Sequence, residues 1–108
     1  MRNVITLIIC FVVTANFAWA GDSSGKVQHI MVHKGDVVMF SAGIHNNKPS
    51  CSTVGEHWAL SLSTENGKAM YAMLLSATAQ GKTINVKGED VCNAWGDRES
   101  PKYMSINY

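Results

Sequence analysis

Four histidines (His29, His33, His45, His57), the charged run Trp95-Gly96-Asp97-Arg98-Glu99 and the cysteines Cys51 and Cys92 carry most of the chemically versatile side chains beyond residue 20. In an extended strand His29 and His33 share a face, but their Cβ atoms lie about 13 Å apart, too far for one tetrahedral metal. No ligand spacing recruits His45 or His57, so the histidines read as surface residues, and no metal or cofactor is expected. The carboxylates around Arg98 could in principle do acid/base work. No set of nucleophile, base and orienting group accompanies them, and neighbouring carboxylates on a loop are normally solvated, so the chain does not read as an enzyme. Two uses remain for the loop. Trp95 stacks on the apolar face of a sugar while Asp97 and Arg98 take its hydroxyls, or Trp95 covers the disulfide and plugs one end of a barrel. A second polar stretch, Asn46-Asn47-Lys48-Pro49-Ser50, offers amides and a hydroxyl to a polar ligand, or is a plain turn.

Where these groups work is set by the first 20 residues. Arg2 supplies a positive start, Val4–Val13 an apolar run, and Ala18-Trp19-Ala20 a small-x-small cleavage signal, the pattern of a secretory signal peptide. The apolar run is far shorter than the roughly 20 residues that span a bilayer, so no membrane span is expected. Cys10 lies inside this run and departs with it. Residues 21–108 then form one secreted or periplasmic domain of 88 residues, too short for two. A domain of this size buries only about 60–65% of its unfolded surface, and its core alone is marginal. Without Arg2, eight Lys/Arg face eight Asp/Glu; this balance supplies no basic face and argues against nucleic acid as a partner. Cys51 and Cys92 are the only cysteines left, and in an oxidising compartment they are expected to pair.

The elements that must hold these groups follow from periodicity and turn residues. Residues 21–25 (GDSSG) read as a flexible polar leader. Strands are expected over 27–33 and 37–42, joined as a hairpin across Lys34-Gly35-Asp36, and a third over 57–62. The long irregular stretch 43–55 is anchored by Cys51. Ser63 or Thr64 starts a helix whose stripe is Met70, Met73, Leu74 and Ala77, widened by Tyr71 and Leu75, and Gly81 ends it. Strands over 82–87 and 102–108 complete the order β-β-β-α-β-β. That order fits a β-rich, small five-stranded Greek-key barrel of the OB type with one disulfide, or else a short open sheet packed on one helix.

The stretch GKAMYAMLLSATAQGKTINV (Gly67–Val86), with Cys92, Trp95-Gly96-Asp97 and a last tyrosine-containing strand, resembles a group of small secreted bacterial proteins. These in turn resemble the receptor-binding B subunits of pentameric toxins of the subtilase-cytotoxin and pertussis type. The likeness covers the chain from about Trp58 onward. It implies an OB barrel, a cell-surface glycan as ligand and a ring-forming, pentameric habit; no sugar-contacting motif of those toxins is found, so it assigns no binding residue. The expectation is therefore a non-catalytic secreted module that binds a glycan or cell-surface protein, with Trp95, Asp97, Arg98, Asn46 and Asn47 as candidate contacts. The alternative is a periplasmic inhibitor or envelope accessory protein that binds another protein.

Overall fold

Five antiparallel strands hydrogen-bond in the order β3-β2-β1-β4-β5 in a computed structural model that describes residues 20–107. The strands are β1 (Asp22–His33), β2 (Val37–Ala42), β3 (His57–Ser61), β4 (Thr83–Gly88) and β5 (Pro101–Ile106), with one helix, α1 (Glu65–Gln80), between β3 and β4. The expected element order and the hairpin across 34–36 are both present. The signal-peptide reading of residues 1–20 lies outside the described residues except for Ala20.

Two features turn this ladder into a barrel. β1 is long and serves two partners: Asp22–Lys26 pairs with β4, and Val27–His33 pairs with β2. Its register shifts between Val27 and His29, where an extra residue bends the strand from one partner toward the other. The two outer strands then meet. Trp58 of β3 and Glu99, just before β5, form a parallel bridge, and Ala59 N–H donates to Glu99 C=O at 3.1 Å. An antiparallel sheet whose third strand meets the segment leading into its fifth through one parallel bridge is the OB arrangement, rather than the open-sheet alternative.

Within the polar segment 21–25, residues 22–25 are not a leader but the start of β1. Its side chains carry no apolar alternation because Ser23 turns inward to accept the Trp58 Nε1–H at 3.0 Å, while Ser24 turns outward to donate to Asn85 Oδ1 at 2.8 Å. Partner strands, rather than local propensity, make this stretch extended.

Inside the barrel Val38, Phe40, Trp58, Leu60, Ile84, Val86 and Met104 pack against Met70, Leu74 and Ala77 of α1. Thr64 caps the helix, its Oγ1 accepting from Gly67 N–H at 3.0 Å, and Gly81 closes it in the left-handed conformation (φ 62°). Leu75, read as part of the buried stripe, lies exposed. All six residues of β2 are buried, because its outer face is covered as well: Val37, Met39 and Ala59 pack under Trp95 and Ala94. Trp95 therefore seals the outside of the β2–β3 face rather than an end of the barrel. The expected Cys51–Cys92 disulfide is formed, with Cα atoms 6.1 Å apart, and it ties the loop after β2 to the loop after β4.

Candidate functional site

Among the described residues the Glu99 carboxylate is a heavily bonded buried polar group. Its side chain is 0% exposed. Oε1 lies 2.7 Å from His45 Nε2, and Oε2 accepts backbone N–H bonds from Gly21 at 3.0 Å and Asp90 at 2.9 Å. His45 is stacked on Trp58, ring centroids 3.7 Å apart and planes within 15°, and its backbone N–H is taken by the Glu56 carboxylate. Space around Glu99 is set by glycines. A Cβ on Gly21 would stand 2.0 Å from Oε1, and one on Gly88 would stand 1.8 Å from Oε2. The reading of His45 as a surface residue is thus corrected, and the reading of Glu99 as part of a solvated charge cluster with it. Loop 43–55 folds its one imidazole into the barrel, where Glu99 waits at the start of β5. Both side chains of this pair are sealed from solvent, so they can hold the barrel shut but cannot reach a substrate.

The candidate contacts separate into two regions. Asn46 and Asn47 clasp the start of β1. Asn46 and Asp22 exchange backbone hydrogen bonds (3.0 and 2.8 Å), and the amides of Asn46 and Asn47 reach the Asp22 carboxylate at 3.4 and 3.5 Å. Beside this clasp runs an open groove of about 380 Å³ bordered by β1, β4, β5 and the loop after β2. Its walls carry Asp22, Ser24, Asn46, Asn85 and Lys87, with Tyr103 56% exposed and Ile44 70% exposed at its rim. Tyr103 stands out because the alternation of β5 buries Met104 and turns Tyr103 outward.

Trp95, Asp97 and Arg98 lie outside the lining of this groove. The loop they occupy is a tight turn, Arg98 N–H donating to Trp95 C=O at 3.3 Å, and is pinned by Thr53 N–H to Asp97 C=O at 3.0 Å. The Trp95 ring sits 4.5 Å from His33 (centroid to centroid) over the second core cluster. The Arg98 guanidinium is largely buried and bonds its neighbour Asp97 at 2.5 Å. Asp97 is the one member of this trio with a substantially exposed side chain. The structure brings Asn46 and Asn47 together with Asp22, and leaves the tryptophan loop as a separate, packed unit. Sequence reasoning missed Tyr103 and Lys87 as groove residues; the outward phase of β5, visible as Tyr103-Ser105-Asn107 against Met104-Ile106, is the signal for the first.

His57 faces His29, ring centroids 5.2 Å apart, near Arg98. Its pKa is lowered from the ordinary value of 6.5, first by burial, then by the charges of Arg98 and His29, with Asp97 acting the other way. A histidine that is harder to protonate when folded contributes stability above the unfolded pKa, and that contribution is lost as pH falls below about 6.5, because the unfolded chain then binds the proton first. Melting temperature is expected to fall on acidification through this range, and less steeply in His57→Gln, as thermal scans from pH 7.5 to 5.5 would record. Among the described residues no group of three or more His, Cys, Asp or Glu is placed to hold a metal ion.

No family model, curated protein or solved structure is significantly similar to the chain, so nothing in these comparisons links it to the toxin B subunits that its sequence pattern resembles.

Proposed function

We propose that this protein is a secreted, non-catalytic binding module that recognises a glycan in the groove between Tyr103, Asn46 and Lys87. The observation that carries the reading is an exposed aromatic ring set beside a dense array of polar groups on a closed barrel. Tyr103 offers a flat apolar surface for the face of a pyranose ring. Asn46, Asn85 and Ser24 supply amide and hydroxyl groups for its hydroxyls, and Asp22 and Lys87 add one acceptor and one donor of full charge. Several of these groups are already held: Asp22 by the amides of Asn46 and Asn47, Ser24 by Asn85. A preorganised polar surface loses less entropy on binding than a loose one. A disulfide-stapled barrel suits an oxidising compartment, which supports the secreted or periplasmic location.

The sequence pattern shared with toxin B subunits favours a cell-surface glycan as ligand and a homo-pentamer as the assembly. A glycan array probed with the purified protein tests the first and its mass in solution the second. For an oligosaccharide that binds, Tyr103→Ala and Asn46→Ala are each expected to weaken affinity by about 1–3 kcal/mol, the usual cost of removing a stacking ring or stranding a polar partner. Asp97→Ala is expected to leave affinity unchanged; the reverse pattern moves the site to the tryptophan loop. A monomer that binds no sugar would instead favour the protein-binding reading, an inhibitor or envelope accessory factor.

A further inference from the structure

The buried Glu99 carboxylate has no lysine or arginine partner among the described residues. Its only ion-pair partner among the described residues is His45, through Nε2. The other ring nitrogen, His45 Nδ1, is buried with no hydrogen-bond partner among the described residues. A carboxylate removed from water is costly unless cationic groups balance it. Two cations from nearby segments are engaged elsewhere: the Lys87 ammonium donates to the Ala20 carbonyl at 3.2 Å, and Arg98 bonds Asp97. Two backbone N–H groups complete the contacts of the Glu99 carboxylate, Asp90 at 2.9 Å and the buried Gly21 at 3.0 Å, both to Oε2.

Gly21 directly follows the small-x-small sequence Ala18-Trp19-Ala20. Hydrolysis of the Ala20–Gly21 peptide bond by a leader peptidase adds one water. Ala20 departs as a carboxylate, and the Gly21 nitrogen takes up the protons to become an ammonium, without having to move. We infer that the mature chain starts at Gly21 and that its new α-ammonium is the buried counter-ion of Glu99, so that removal of the leader completes the polar plug of the barrel. The glycine is part of the device, since any side chain at 21 would collide with the carboxylate it must touch. Lys87 loses its Ala20 acceptor in the same step and is left on the wall of the groove. This inference stands independently of the glycan reading.

Two proteins test it, one starting at Gly21 and one starting at Ala20, each released from a fusion that leaves no other residue. The Gly21 form is expected to melt several degrees higher, and the gap is expected to close when both carry Glu99→Gln. Native-state acetylation with an N-hydroxysuccinimide ester supplies a readout that needs no variant: the Gly21 amine is expected to react far more slowly than the exposed lysines, and the Ala20 amine of the longer form as fast as they do. Intact mass of the exported protein is expected to match residues 21–108. Equal melting temperatures, rapid labelling of Gly21, or an exported chain that begins at another residue would each overturn the inference.

Discussion

Glu99→Ala is expected to be among the most damaging single substitutions in this protein, costing about 3–5 kcal/mol, the range seen when one partner of a buried polar pair is removed. The change strands three donors at once: His45 Nε2 and the backbone N–H groups of Gly21 and Asp90. It also empties space at the point where β3 meets the start of β5, the contact that closes the barrel. Domains of this size have total stabilities toward the low end of about 5–15 kcal/mol, so the variant would be largely unfolded under conditions where the parent is folded. Urea titration followed by tryptophan fluorescence gives the number directly. A midpoint for Glu99→Ala indistinguishable from the parent would mean that the plug contributes nothing and that water or rearrangement replaces it.

The second large effect belongs to the disulfide. Cys51 and Cys92 are 41 residues apart, and closing a loop of that length restricts the unfolded chain by roughly 4 kcal/mol in loop-closure entropy. Cys51→Ser or Cys92→Ser is therefore expected to cost about 2–5 kcal/mol, and reduction of the parent protein should lower its melting temperature to a similar extent. The loss is felt at both ends of the bond. Cys51 steadies the loop that carries His45 inward and Asn46 to the groove, and Cys92 anchors the segment that lays Trp95 over β2 and β3. Thiol titration of the native, unreduced protein is the check: two reactive cysteines beyond residue 20 would contradict the bond.

Much of the scaffold was legible from residue order, because local rules and tertiary structure agree there. Thr64 and Gly81 mark the ends of α1 by hydrogen-bonding chemistry that needs no partner strand, and the hairpin follows from β-branched runs on either side of Lys34-Gly35-Asp36. The first half of β1 was illegible. Asp22-Ser23-Ser24-Gly25 has the composition of a linker, and it is extended only because β4 pairs with it and Trp58 needs the Ser23 hydroxyl. His45 and Glu99 were misread for a related reason. Each sits in an irregular polar stretch, and burial comes from an interaction across 54 residues of sequence that no periodicity announces. Asp97, two residues from Glu99, does keep its side chain partly in solvent, so the expectation of a solvated carboxylate was right for one of the pair and wrong for the other. In the groove, Asn46 was already a candidate contact in the sequence, while Tyr103 and Lys87 came beside it only when β1, β4 and β5 were laid side by side.

The central claim, that the groove beside Tyr103 is where this protein meets its ligand, is tested most directly by nuclear magnetic resonance. The isotope-labelled protein is titrated with a panel of neutral and acidic oligosaccharides while its backbone amides are followed. The account predicts saturable shifts for at least one sugar, concentrated at Ser24, Asn46, Asn85, Lys87 and Tyr103, with Trp95 to Arg98 unmoved. Shifts confined to Trp95–Arg98, or no response to any oligosaccharide in the panel, would contradict it.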